Sequence, residues 1–221
     1  MAHLLFTALL LCYPSYGNIL SRRAFIGNTI GMSLINKATI VNANNDEEPG
    51  LIRGLNNNLY YSGPMTDTTI FSITSNLIAL QQESNINEIN LHMQSSGGSL
   101  LPSLALVDLI RVSDIPINTY VDGYCASAAS LITVVGAQRF INKHGVILIH
   151  QLKMGIEPSK YLEIKDQSVN ADTLMNIIKE IYLENTNLSP GKLDELLMHD
   201  WWLNSTLSKK YIVFVFVIFP L

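Results

Sequence analysis

No acidic residue occurs before Asp46. Over a segment that holds Arg22 and Arg23, that absence reads as targeting sequence rather than fold. Cysteine is scarce as well. Cys12 lies in an N-terminal apolar stretch and Cys125 lies mid-chain, which excludes a disulfide framework. Charged residues make up 14% of the 221 positions, with a net charge of −4, so the chain lacks the basic footprint of a nucleic-acid binder. Long apolar runs are missing too. Residues 3–13, HLLFTALLLCY, fall well short of the roughly 20 residues that a membrane-spanning helix needs. No internal repeat is visible. Hydrophobic residues nevertheless reach 48%, enough for one well-cored domain once a leader is removed.

The leader reads as two stacked signals. Residues 3–13 suit a signal h-region, and Ser21-Arg22-Arg23-Ala24-Phe25-Ile26-Gly27 resembles a twin-arginine motif. A mildly apolar run over 26–41 ends at Val41-Asn42-Ala43. Together they point to a nuclear-encoded protein with a cleavable presequence, routed to a plastid and ending in the stroma or the thylakoid lumen. A plain basic transit peptide remains the alternative. The expected organisation is a presequence over 1–45, a polar linker over 46–58 and one domain over 59–211. An apolar tail follows over 212–221, a β-aggregation hazard unless something pairs with it.

What the domain does contain is centred on VDGYCASAASLITVVG, residues 121–136. Ser127 has small residues on both sides and leads into the uncharged apolar segment 128–135. A nucleophile on a tight turn into a buried helix needs that lack of bulk. The first helical turn also offers unpaired N–H donors at a positive dipole end. A small-residue packing site would give the same local pattern. Cys125 is the rival nucleophile, though a buried structural thiol is its expected state. Upstream, 89–93 alternates as a strand and runs into Ser95-Ser96-Gly97-Gly98-Ser99, where paired glycines let backbone come close to a ligand. Downstream, 145–151 is an apolar strand that ends in His150.

Strand and helix patterns alternate along the rest of the domain. Helices are expected over 68–82 with Asp67 as cap, over 100–112, 128–135 and 161–184, and over 190–198 behind Ser189. Strands are expected over 59–62, 89–93, 117–121, 139–142 and 146–150. Such repetition implies a layered α/β fold.

Four ordered motifs, GPMTD at 63–67, SSGGS at 95–99, ASAAS at 126–130 and IHQL at 149–152, resemble those of the Clp protease proteolytic subunit, ClpP, over 56–211. The resemblance implies a crotonase-like (ClpP) fold with 161–184 as a protruding handle helix. It implies a serine endopeptidase with Ser127 as nucleophile, His150 as base and Asp200 as the carboxylate that orients the base. A serine hydroxyl needs a base in contact, and imidazole titrates near neutrality. Asp200 lies in MHDWWL, fifty residues after His150; Asp194 is the lesser candidate. The amides of Gly98 and Ala128 would form the oxyanion hole. No cofactor or metal is expected, ATP being used by the partner. The implied partners are other Clp proteolytic subunits in a heptameric ring or double ring, a Clp-type AAA+ ATPase unfoldase, and unfolded protein substrates. Neither nucleic acid nor a membrane span is implied. Two alternatives remain: a catalytically silent structural ring subunit, and a crotonase-type acyl-CoA enzyme.

The chain also departs from the family pattern. Ser96 and Leu152 stand where the family has proline, and the glycine-rich strand after the histidine reads LKMGIEP, with Pro158 removing a ladder donor. An acidic–basic pair near the aspartate reads Met198-His199. These changes place the expected ring-to-ring contact in question.

Overall fold

The computed structural model describes residues 38–41, 50–155, 158–212 and 214–217. Most of the leader, part of the tail and Ile156-Glu157 therefore lie outside the described residues. The chain builds one mixed sheet. Strands β1 (Ala38–Val41), β2 (Gly50–Leu55) and β3 (Asn58–Ser62) form an antiparallel meander. Strands β4 (Ile89–Ser95), β5 (Ile117–Ala126) and β6 (Arg139–Asn142) then join in parallel. The helices α1 (Asp67–Gln81), α2 (Leu100–Arg111) and α3 (Ala128–Val134) make the crossovers between these parallel strands, as parallel pairing requires.

Three differences from the sequence expectation fall at the start of the domain. Residues 38–41, read as the end of the leader, pair with β2 as strand β1. Residues 50–55, read as linker, form β2, because Asn56 takes a left-handed conformation (φ 55) that lets the chain double back onto β3. The α1 cap is Thr66 and not Asp67. Thr66 and Thr69 exchange backbone and side-chain bonds in a capping box, which leaves Asp67 in the first turn, where a carboxylate complements the helix dipole.

One continuous core fills the space between sheet and helices. Ile73 and Leu77 of α1, Leu106 of α2 and Ile132 of α3 are buried with Leu91 and Met93 of β4. Each such side chain contributes about 1.5–3 kcal/mol by leaving water. The alternate residues of these strands project to the opposite sheet face. There Asn58, Asn90 and Asn118 bond in series, while Tyr60, His92, Tyr120 and Phe140 stack with ring centroids 4.3–4.4 Å apart. His92 Nδ1 lies 3.0 Å from Asp122.

Strand β5 is longer than the expected 117–121, and its length positions the site. Its first half pairs with β6; its second half, Tyr124 to Ala126, pairs with β7 (Val146–Leu148). Strand β8 (Trp202–Asn204) lies antiparallel on β7. The long helix α4 (Tyr161–Asn185) buries only its last third, through Ile178, Ile181 and Tyr182. At about 1.5 Å per residue its exposed first turns extend well beyond the core, in line with the expected handle. Helices α5 (Pro190–Leu197) and α6 (Ser205–Ile212) close the fold. Residues Val215–Val217 of the apolar tail form β9, parallel on β6, so this part of the tail finds its partner within its own chain.

Candidate active site

Ser127 stands at the junction of β5 and α3 with φ 56 and ψ −129, a conformation that side chains larger than hydrogen rarely adopt. Holding it costs about 1–3 kcal/mol. Three hydrogen bonds supply the restraint. The Ser127 N–H donates to the Leu148 carbonyl at 3.0 Å. Its own carbonyl accepts from the Ser130 N–H at 2.9 Å and from the Ser130 hydroxyl at 2.6 Å. The hydroxyl of Ser127 is thereby presented at a sharp turn.

The paired glycines pack directly on this turn. A Cβ added to Gly97, whose φ is +89, would lie 2.5 Å from the Ala126 carbonyl oxygen and 2.7 Å from Ser127 Cβ. Gly98, at φ +151, bridges to Met65: the Met65 amide donates to Gly97 and the Ser99 amide to Met65. That bridge leaves the Gly98 amide out of its bonds. Gly98, Ala128, Ser127 and His150 line one cavity of about 440 Å³, whose apolar wall includes Leu100, Leu131, Ile178 and Tyr182. Four of the five site residues expected from the sequence are thus brought together.

Asp200, the fifth, is exposed and does not line that cavity. Among the described residues the side chains of Ser127, His150 and Asp200 make no hydrogen bond with one another. The register relates two of them all the same. Leu148 lies opposite Trp202 in the β7–β8 ladder, so two further residues of antiparallel pairing would set His150 across from Asp200. Just past His150, the Gln151 amide is tied to the Leu197 carbonyl at 3.0 Å. Asp194, the lesser candidate, is paired with Lys179 at 2.7 Å.

Cys125 is fully buried, and burial pushes its thiol well above the ordinary range, so it stays protonated and inaccessible. Its sulfur lies 3.6 Å from the Met93 carbonyl. Two residues escaped the sequence reading: Ser130, and Tyr182, whose hydroxyl lies 2.7 Å from Ser130 Oγ. The available signal was a tyrosine on the apolar stripe of α4, one residue after Ile181, where a buried O–H needs a partner.

A family model described as Clp protease matches residues 53–217. An ATP-dependent Clp protease proteolytic subunit of Streptococcus sanguinis (strain SK36) is 28% identical over 155 residues, which cover 68% of this chain and 78% of that protein.

Proposed function

This chain belongs to the Clp protease family, and from that premise we propose that it is a serine endopeptidase subunit which cleaves unfolded proteins inside a ring chamber fed by an AAA+ ATPase unfoldase. The observation that carries the proposal is Ser127 on a strained strand-to-helix turn, sharing one cavity with His150. In the proposed reaction Ser127 Oγ adds to the scissile carbonyl carbon while His150 takes the hydroxyl proton. The oxygen that becomes anionic is met by the amides of Gly98 and Ala128. Collapse expels the amine, which leaves with the proton from His150, and water then releases the acyl group by the same route. Asp200 orients His150 once the β7–β8 pairing extends to it. The chain itself needs no cofactor in this scheme; ATP is consumed by the unfoldase. The family match removes the ground for the acyl-CoA alternative.

A second reading, a ring subunit without activity, rests on one observation: Asp200 is exposed and outside the cavity. A fluorophosphonate probe separates the two. The expected result is labelling at Ser127 that Ser127→Ala abolishes. Labelling that persists in Ser127→Ala or shifts to Cys125 would refute the nucleophile. A chain that stays unlabelled even when mixed with other family subunits would be the silent one. Plastid residence remains part of the proposal on the strength of the acid-free leader and Arg22-Arg23. A reporter fused behind the leader is expected in a plastid of an algal cell, and cytosolic fluorescence would contradict it.

A further inference from the structure

We infer that Tyr182 is a positioning residue for the Ser127 turn, acting through a buried relay from the base of α4 to the carbonyl of Ser127. The direction of the relay follows from proton counting. Ser130 Oγ carries one hydrogen and lies 2.6 Å from the Ser127 carbonyl oxygen, which can only accept. The hydrogen therefore points to Ser127. The 2.7 Å contact between Ser130 Oγ and the Tyr182 hydroxyl must then be a bond donated by Tyr182. Tyr182 is 2% exposed and Ser130 is wholly buried, so water has no ready access to replace either bond. Burial also raises the phenol above its ordinary range, which keeps it a donor at any working pH.

The relay acts on one of the two backbone groups that fix the turn. Ser127 holds its left-handed conformation through its amide and its carbonyl, and the carbonyl bears two bonds from Ser130. A hydroxyl that itself accepts a bond is a stronger donor. The tyrosine ring is a separate matter, because it forms part of the cavity wall beside Ile178. Removing the hydroxyl alone should thus change how the nucleophile is aimed and leave the wall in place.

The kinetic consequence rests on the peptidase reading above, so the test has one arm that depends on it and one that does not. In the full chain, labelling time courses at several fluorophosphonate concentrations are compared for wild type, Tyr182→Phe, Ser130→Ala and the double variant. For Tyr182→Phe the maximal labelling rate should fall roughly three- to tenfold, the scale of one lost hydrogen bond. The half-saturating concentration and the final stoichiometry should stay unchanged. The double variant should be no slower than Ser130→Ala, because both changes act on one carbonyl. An unchanged maximal rate, or a loss seen only in stoichiometry, would overturn the assignment. The second arm is amide hydrogen exchange of Tyr182→Phe. Faster exchange confined to residues 127–131 supports the relay; unchanged exchange there, or a rise spread across the whole chain, overturns it. A wild type that does not label would sink the peptidase reading alone, and the exchange arm would still decide the role of Tyr182.

Discussion

Gly97 touches the Ser127 turn at distances that no side chain could share. Its left-handed φ disfavours any side chain, and an added Cβ would lie 2.5 Å from the Ala126 carbonyl oxygen and 2.7 Å from Ser127 Cβ, atoms that no side-chain rotation can move away. Gly97→Ala should therefore displace Ser127, the proposed nucleophile, even if the fold survives. A shift of about 1 Å costs on the order of a hundredfold in rate. Fluorophosphonate labelling should fall to that extent with little change in far-UV circular dichroism; labelling at the wild-type rate would show that the contact is slack. The buried phenols carry a second expectation at this scale. Burial raises Tyr61 to about 12, against an ordinary value of 10.0, even though its hydrogen bond with Thr69 pulls the other way. Tyr182 is raised by the same cause. Above pH 10 the unfolded chain releases these protons while the fold retains them, so the unfolded state binds fewer protons and stability falls with pH. The contribution is complete below pH 10 and drains as pH climbs toward the folded values. Urea midpoints measured from pH 8 to 11 should be level at first and then decline, and Tyr61→Phe should flatten part of that decline whatever its midpoint at pH 8. Equal slopes for the two proteins would contradict the assignment.

Helix α4 divides into two halves with opposite demands. Ile178 is 5% exposed and sits in the core, so Ile178→Ala should cost about 2–5 kcal/mol in chemical unfolding. Leu162 and Val169 are 67% and 63% exposed, and replacing both with Asp should leave stability within about 0.5 kcal/mol each. A large loss from the exposed pair would mean that this half packs on the body of the fold. The same helix shows what a sequence makes legible. Its period and length are local properties, and the expected 161–184 differs from the observed element by one residue at its end. Strand β6 was legible for the same reason. Strand β5 was placed five residues too short, because 122–126 contains Asp, Gly and small residues that weaken a local strand signal. What extends it is pairing with β7, a contact between distant parts of the chain. Strands β2 and β8 were missed on the same account, each being held by pairing with a neighbouring strand. The candidate site was legible as motifs, since Ser127, the glycines and His150 each mark a strand end. Ser130 and Tyr182 were not, because fifty-two residues separate a pair whose relation exists only in the fold.

Several large apolar residues are exposed on α4 and on the segment that follows α5. Tyr161, Leu162 and Val169 on α4, Met198 beyond α5, and Trp201 and Trp202 beside Asp200 are all between 49% and 69% exposed. Trp201 stacks on His199 with ring centroids 4.0 Å apart, where the family pattern calls for an acid–base contact. A side-by-side ring contact could cover the apolar residues, but a charge pair cannot be made from Met198 and His199. Pro158, lacking an N–H, also cannot donate to a strand added across rings. The chain alone is therefore expected to sediment as a single ring or a smaller species, and to hydrolyse short peptides slowly. The proposed activity and the expected assembly would be linked through one register. His150 and Asp200 face each other only if the β7–β8 ladder gains two residues; Trp202 ends the present ladder, Trp201 lies in the stretch that must pair, and both are exposed. A neighbour packed on those tryptophans would bury apolar area and favour that extension. Mixing the chain with a conventional subunit of the family should then raise particle size and the Ser127 labelling rate together, over the same concentration range. Trp201→Ala should reduce both rises together by weakening the packing. Analytical ultracentrifugation alongside labelling decides the matter: a stable double ring formed by this chain alone, with a labelling rate that added partner does not raise, would refute the link.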